Sequence, residues 1–279
     1  MKKIAKIPIF KKENLYHCVM VYEESSIRTL RLGKGPRAGK QSQIDIRDLG
    51  RHMLEYTKLV FAGLLINQNP MKALIIGLGG GVIPRDIHDH FPDSEIHVVD
   101  IDPDVLEAAE RFFFFKTDKR LHAHISDGRL FILQELDRRP RQVYDMIILD
   151  AFHSEYIPFH LTTREFLEQV EALLHPKGVV VANVLRDHHL FHSQLKTFRA
   201  VFGRSYVFVG KRVNNTILIS PGPEAPDLDF RVALERADIL HKRHRFGFDM
   251  NDVARQFRPR FRTKWGAKIL TDESPVLYQ

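Results

Sequence analysis

The chain lacks most of what marks a secreted or membrane-bound protein. It has one cysteine, Cys18, in 279 residues, so no internal disulfide framework can form and a reducing compartment is indicated. No run approaches the roughly 18 apolar residues of a membrane span. The N-terminus, Met1 to Lys12, is basic, but Glu13 and Asn14 follow where a signal peptide needs an apolar stretch. A cytoplasmic protein with no membrane partner is expected. Internal repeats and low-complexity segments are also missing, which excludes solenoid and disordered classes. Ser42, Ser154 and Ser193 have no visible histidine–acid relay, which argues against nucleophilic hydrolysis.

What is present is an ordinary globular composition, with 44% hydrophobic and 28% charged residues and a net charge of +7. The excess is local. Between His241 and Lys264 stand eight lysines and arginines against Asp249 and Asp252, interleaved with Phe246, Phe248, Phe257 and Phe261. Such a mixture suits an anionic partner such as nucleic acid; a solvated face whose aromatics pack inward is the preferred reading. The 15 histidines include His188 and His192 at i, i+4 spacing. No carboxylate or cysteine completes a ligand set there, so a surface role and no metal are expected.

Three regions separate. Residues 1–68 read as short strands, at Cys18–Tyr22 and Ile27–Leu32, a turn cluster at Gly33–Pro36, and a helix over 48–66 carrying Leu49, Met53, Tyr56, Val60 and Leu64. Residues 69–221 alternate strand and helix. Apolar runs at 73–76, 95–100, 121–125, 144–149 and 178–184 are separated by helical segments ending at His90, opening at Pro103, and spanning 128–136, 162–174 and 188–202. A closing β pair follows at 205–209 and 215–220. This alternation predicts an α/β fold with a doubly wound, mainly parallel sheet. Residues 222–279 form a basic extension with short helices near 229–240 and 249–256 and a loosely structured tail.

The chemistry concentrates at strand ends. The first strand of the alternating region runs into Gly77-Leu78-Gly79-Gly80-Gly81, where glycines let backbone N–H groups approach a ligand at a helix N-terminus. The next strand ends in Asp100, able to accept both ribose hydroxyls of a nucleoside. The third ends in Ser126-Asp127-Gly128, suited to an adenine edge, and the fourth in Asp150. Three successive strands ending in aspartate at one sheet edge point to nucleoside binding. The glycine spacing is not that of a dinucleotide fingerprint, which argues against hydride transfer.

These residues, with Gln41-Ser42 and Pro158, resemble the spermidine synthase (polyamine aminopropyltransferase) family from the N-terminal strands to about Ser220. The likeness is nearest to its divergent, spermidine-synthase-like bacterial branch, through Asp150-Ala151-Phe152, the run Ile157 to Thr163, Phe166, and Ile269 to Glu273. The resemblance implies a Rossmann-like sheet of the S-adenosylmethionine-dependent methyltransferase type. It implies donor contacts from Gln41, Gly77, Gly79, Gly80, Asp100, Ile101, Asp127, Gly128 and Pro158. Asp150 would be the catalytic carboxylate, and Tyr56 and His153 would stand in the amine site. Decarboxylated S-adenosylmethionine would be the co-substrate, putrescine or another polyamine the acceptor, and a dimer or tetramer the assembly.

Three departures stand out. Gly80 replaces an aspartate that holds the aminopropyl group, Tyr56 replaces a histidine, and His153 replaces the second aspartate of an Asp-x-x-Asp loop. Each lost carboxylate forfeits about 1.5–3 kcal/mol of charged hydrogen bonding to a polyamine. Asp86, Glu155 and Glu165 are candidate replacements. Gly80 also leaves room for a donor carboxylate, which makes a methyltransferase using intact S-adenosylmethionine the alternative. A non-catalytic nucleoside-binding scaffold is the third reading.

Overall fold

The computed structural model describes residues 7–16, 18–33, 39–151 and 157–274. His153, Ser154, Glu155 and most of the turn cluster after Gly33 lie outside them. The N-terminal segment is a four-stranded antiparallel meander: β1 Phe10–Glu13, β2 Cys18–Glu24, β3 Ile27–Leu32 and β4 Gly39–Asp45, in that order. The sequence shows β2 and β3 through their β-branched residues. It hides β1 and β4, which are mostly polar because each presents only one or two residues to the core. Ser25, in the two-residue β2–β3 turn, takes a left-handed φ of 57°, as tight hairpins demand.

The predicted helix over 48–66 is shorter. Only α1 Glu55–Val60 and a 3₁₀ turn at Phe61–Leu65 form. Tertiary contacts hold the preceding residues out of the helix. His52 is buried, its Nδ1 2.8 Å from the Thr57 hydroxyl and its Nε2 3.0 Å from Asp86 Oδ2. The Gly50 carbonyl lies so close to Gly247 that a Cβ there would approach its oxygen to 1.8 Å. Intrinsic helix periodicity is worth less than these buried polar contacts.

The central sheet has seven strands, β5 Lys72–Ile76, β6 Glu95–Asp100, β7 Leu121–Ile125, β8 Tyr144–Leu149, β9 Leu174–Leu185, β10 Tyr206–Val209 and β11 Asn215–Pro221. Their spatial order is β10-β11-β9-β8-β5-β6-β7. Pairs β6/β7, β5/β6, β5/β8 and β8/β9 are parallel; β9/β11 and β10/β11 are antiparallel. The doubly wound α/β fold is therefore as the alternation predicts. Along β5, Ala73 and Ile75 face one core while Leu74 and Ile76 face the other. Both faces are covered, which is why these strands read as continuous apolar runs.

On the first face pack the meander, α1, α2 Val82–His90 and α3 Pro103–Phe112; on the second pack α4 Gly128–Asp137, α5 Arg164–Glu171 and α6 Phe191–Phe202. Thr163 caps α5 by accepting from Phe166 N–H, so this helix starts later than its periodicity suggests, and Leu174 already belongs to β9. The C-terminal extension contributes α7 Phe230–Arg243 and α8 Met250–Ala254 to the first face. Three of its phenylalanines turn inward: Phe246 lies 5.4 Å from Phe61, Phe248 4.8 Å from His52, and Phe257 stacks at 5.1 Å on Phe208. Phe230 and Trp265 are exposed, Trp265 wholly so. Among the described residues no helix is long and apolar enough to cross a membrane.

Candidate active site

A cavity of about 490 Å³ opens where β5, β6, β7 and β8 end. The sheet order reverses between β5 and β8, the switch point at which crevices form in open α/β sheets. Gly77 and Asp150 meet at that point. Gly77 takes φ 103°, and a Cβ there would lie 2.4 Å from the Asp150 carbonyl oxygen. Any side chain would force the two strand ends apart.

Asp100 ends β6 and ties the loops together. Its Oδ2 accepts from Leu78 N–H at 2.8 Å and its Oδ1 from Asp102 N–H at 3.0 Å. Asp127 caps α4, accepting from Arg129 and Leu130 N–H at 2.9 and 3.0 Å, and meets His160 Nε2 at 3.0 Å. The His160 contact, followed by the cap bonds, holds the Asp127 pKa below the usual carboxylate range. Hydrogen bonds from backbone amides thereby fix both carboxylates in direction where they line the cavity.

Asp150 ends β8 in a different environment. Its Oδ1 accepts from Asn183 Nδ2 at 2.7 Å, and Asn183 Oδ1 accepts in turn from Asn215 Nδ2 at 2.9 Å. Some of its surface opens toward the cavity, yet surrounding protein desolvates it and pushes its pKa up to about 7, with the Asn183 bond pulling the other way. Burial dominates because one neutral hydrogen bond compensates only part of the lost hydration. Tyr56 stands in the same wall and donates to the Gln41 carbonyl at 3.0 Å. Burial, reinforced by the Asp150 charge, holds its phenol well above the ordinary value. It acts as a neutral hydrogen-bonding group at all ordinary pH.

Gln41, Tyr56, Gly77, Gly79, Asp100, Ile101, Asp127, Gly128, Asp150 and Pro158 all line this cavity. Gly80 does not. A Cβ built on it would lie 2.7 Å from Ser42 Oγ and 2.8 Å from Phe113 Cδ1. The small residue is required by packing under β4, and the room for a donor carboxylate expected from its lack of a side chain is already filled by Ser42 and Phe113. His153 and Glu155 lie outside the described residues. Asp86 is paired with buried His52, and Glu165 accepts from Asp272 N–H at 2.9 Å; neither lines the cavity.

Sequence reasoning missed Asn183, Asn215 and His160. Asn183 carried a signal, being a lone amide within the apolar run Val179 to Leu185, where a buried polar group needs a partner. The other two carried none, since nothing local says that Asn215 pairs with β9 or that His160 folds back to Asp127.

Comparison with known proteins agrees with this geometry. Residues 53–217 match the spermine/spermidine synthase domain family. A polyamine aminopropyltransferase of Vibrio vulnificus is 38% identical over 215 residues, covering 76% of this chain and 71% of that protein. An eEF1A lysine and N-terminal methyltransferase of Bos taurus is also 38% identical, over 167 residues, but these are 55% of this chain and only 24% of that protein. The chain thus spans about a quarter of that methyltransferase. Among solved structures, human methyltransferase-like protein 13 in complex with SAH superposes with a TM-score of 0.62 at 31% identity, covering 80% of this chain and 98% of that one.

Proposed function

Because the chain belongs to the spermine/spermidine synthase family, we propose that it is a transferase moving an aminopropyl group from decarboxylated S-adenosylmethionine to an amine, with Asp150 as the proton acceptor. The observation that carries this reading is a carboxylate whose pKa burial pushes up to about 7, lining one cavity with two aspartates that backbone amides hold in place.

The residues divide the work. Asp100 and Ile101 suit the ribose, Asp127 and Gly128 the adenine edge, and Pro158 the wall of the nucleoside slot. Gly77 and Gly79 bring the backbone close to the sulfonium end. The acceptor arrives as an ammonium, which has no lone pair for attack. Asp150 takes its proton; the amine nitrogen then bonds to the carbon beside sulfur as the C–S bond breaks, and the sulfonium leaves as a neutral thioether. A base whose pKa lies near working pH is half ionised and still binds the proton strongly, the balance that general-base catalysis favours. Tyr56 and Gln41 suit orientation of the incoming nitrogen.

A second reading, methyl transfer from intact S-adenosylmethionine, is favoured by the 31% identical human methyltransferase-like protein 13 with SAH. Among the described residues the cavity carries only Asp100, Asp127 and Asp150 as acids, which is sparse for a diamine. The deciding experiment supplies decarboxylated or intact S-adenosylmethionine with a panel of di- and polyamines and identifies products by mass spectrometry. Aminopropylated amine with an equal amount of methylthioadenosine is expected. Product only from the intact donor, made by folded protein, overturns the first reading in favour of the second.

A further inference from the structure

Away from the cavity, the opening ends of β6 and β7 gather a separate set of side chains. Glu95 and His97 are two residues apart on β6 and share a face; His122 is the register partner of His97 on β7. One oxygen of Glu95 and one ring nitrogen from each histidine lie within 4.8 Å of one another. The His97 and His122 rings are 5.0 Å apart, and His97 Nε2 is 2.8 Å from Glu95 Oε1. The other nitrogen of His97, Nδ1, lies 3.0 Å from His124 Nε2. If Nδ1 carries the proton and donates it to His124, the Nε2 lone pair points at Glu95 and toward His122. That is the tautomer a metal-bound histidine adopts when an outer partner holds its second nitrogen.

We propose that Glu95, His97 and His122 form a binding site for a divalent transition-metal ion of the zinc type, with His124 as the residue that positions His97. Two imidazoles and one carboxylate suit zinc and its neighbours, whereas magnesium and calcium prefer all-oxygen shells. Three protein ligands leave the fourth tetrahedral position to water. Ligand atoms within 4.8 Å reach metal-bonding distance by small rotations of Glu95 and the two imidazoles, and the Glu95 side chain, 44% exposed, gives the ion a way in. Lys72 opposes binding: its ammonium is 3.1 Å from Glu95 Oε2. It engages the oxygen that does not face His97, so both contacts fit one carboxylate, but its charge weakens the site. Because β7 is the edge strand of the sheet, the ion would pin that edge to β6. Glu95 lies five residues before Asp100, about 17 Å along the strand, so the site stands independently of the cavity chemistry.

The test uses the full chain freed of metal by chelator, then titrated with zinc by calorimetry and with cobalt(II) by visible absorption. One ion per chain is expected, accompanied by a rise in melting temperature. Glu95→Gln and His122→Ala, both at partly exposed positions, should each weaken binding at least tenfold. His124→Phe should weaken it about 10–100-fold through His97, His124→Gln should restore much of it, and Lys72→Gln should tighten it. Removing His188 and His189 together should change nothing. Absence of stoichiometric binding overturns the proposal. So does binding that survives both Glu95→Gln and His122→Ala, or that disappears with His188 and His189.

Discussion

Among the described residues, Asp150 differs from its two neighbours in that its side chain accepts from an amide side chain, Asn183, where theirs accept from backbone N–H groups. Asp100 and Asp127 each accept from backbone amides, and for Asp127 these bonds and His160 favour the anion; burial dominates at Asp150. Two predictions follow from that contrast. Asn183→Ala removes the bond that lowers the Asp150 pKa, so the ascending limb of the kcat/KM–pH profile, expected near pH 7 with Asp150 as the base, should move to higher pH. A profile that stays in place would separate Asp150 from the titration. Stability should respond in the opposite sense. The folded pKa of Asp150 is raised above the unfolded value near 3.8, so the folded state favours the protonated form. That preference is fully present below about pH 4 and is lost as pH rises through about 7. Asp150→Asn, always neutral, should match native stability in acid and exceed it above pH 7 in urea denaturation, while kcat/KM falls by about 10²–10⁴.

At the scale of elements, the glycine loop between β5 and α2 is set by packing as much as by ligand approach. Gly80 sits against Ser42 of β4 and Phe113 beyond α3, so it joins the meander to the sheet. Gly80→Ala should therefore overpack this seam and cost about 1–3 kcal/mol, seen as a lower melting temperature. Gly80→Asp, which puts back the carboxylate of the wider family, should lower stability similarly without improving use of diamines. A stable Gly80→Asp variant with a lowered KM for putrescine would show instead that the loop can open toward the cavity. Packing also overrides local pattern in residues 48–54, the first part of the helix expected over 48–66. Its apolar spacing is helical, but His52 is drawn to Thr57 and Asp86, and Gly50 to Gly247.

Across the whole molecule, one hydrophobic core joins the meander, one face of the sheet and the C-terminal extension. Phe246 is its clearest link, packed on Phe61 of the 3₁₀ turn and buried to 7% exposure. Phe246→Ala should destabilise the entire chain in one transition, by about 3–5 kcal/mol, measured by urea unfolding with two probes. A separate early transition would mean that residues 222–274 unfold independently. The basic charges of this extension ride on a hydrophobic anchor, which explains why its phenylalanines alternate with arginines.

The sequence by itself determined the sheet strands, because both faces of β5, β6, β8 and β9 are buried and their apolar runs are unambiguous. It also determined the strand-end aspartates Asp100, Asp127 and Asp150, since the glycine turn and parallel alternation place strand ends together. Only the tertiary structure decided what each aspartate is for. Whether a carboxylate stays ionised depends on who surrounds it, and the deciding groups, His160 for Asp127 and Asn183 with Asn215 for Asp150, come from distant parts of the chain. The same holds for Gly80, whose meaning lies in Ser42 and Phe113, and for His97 and His122, which are far apart in sequence and adjacent only through strand register. Local periodicity encodes which residues are buried; hydrogen-bond partners and pKa values are set by what folding brings next to them.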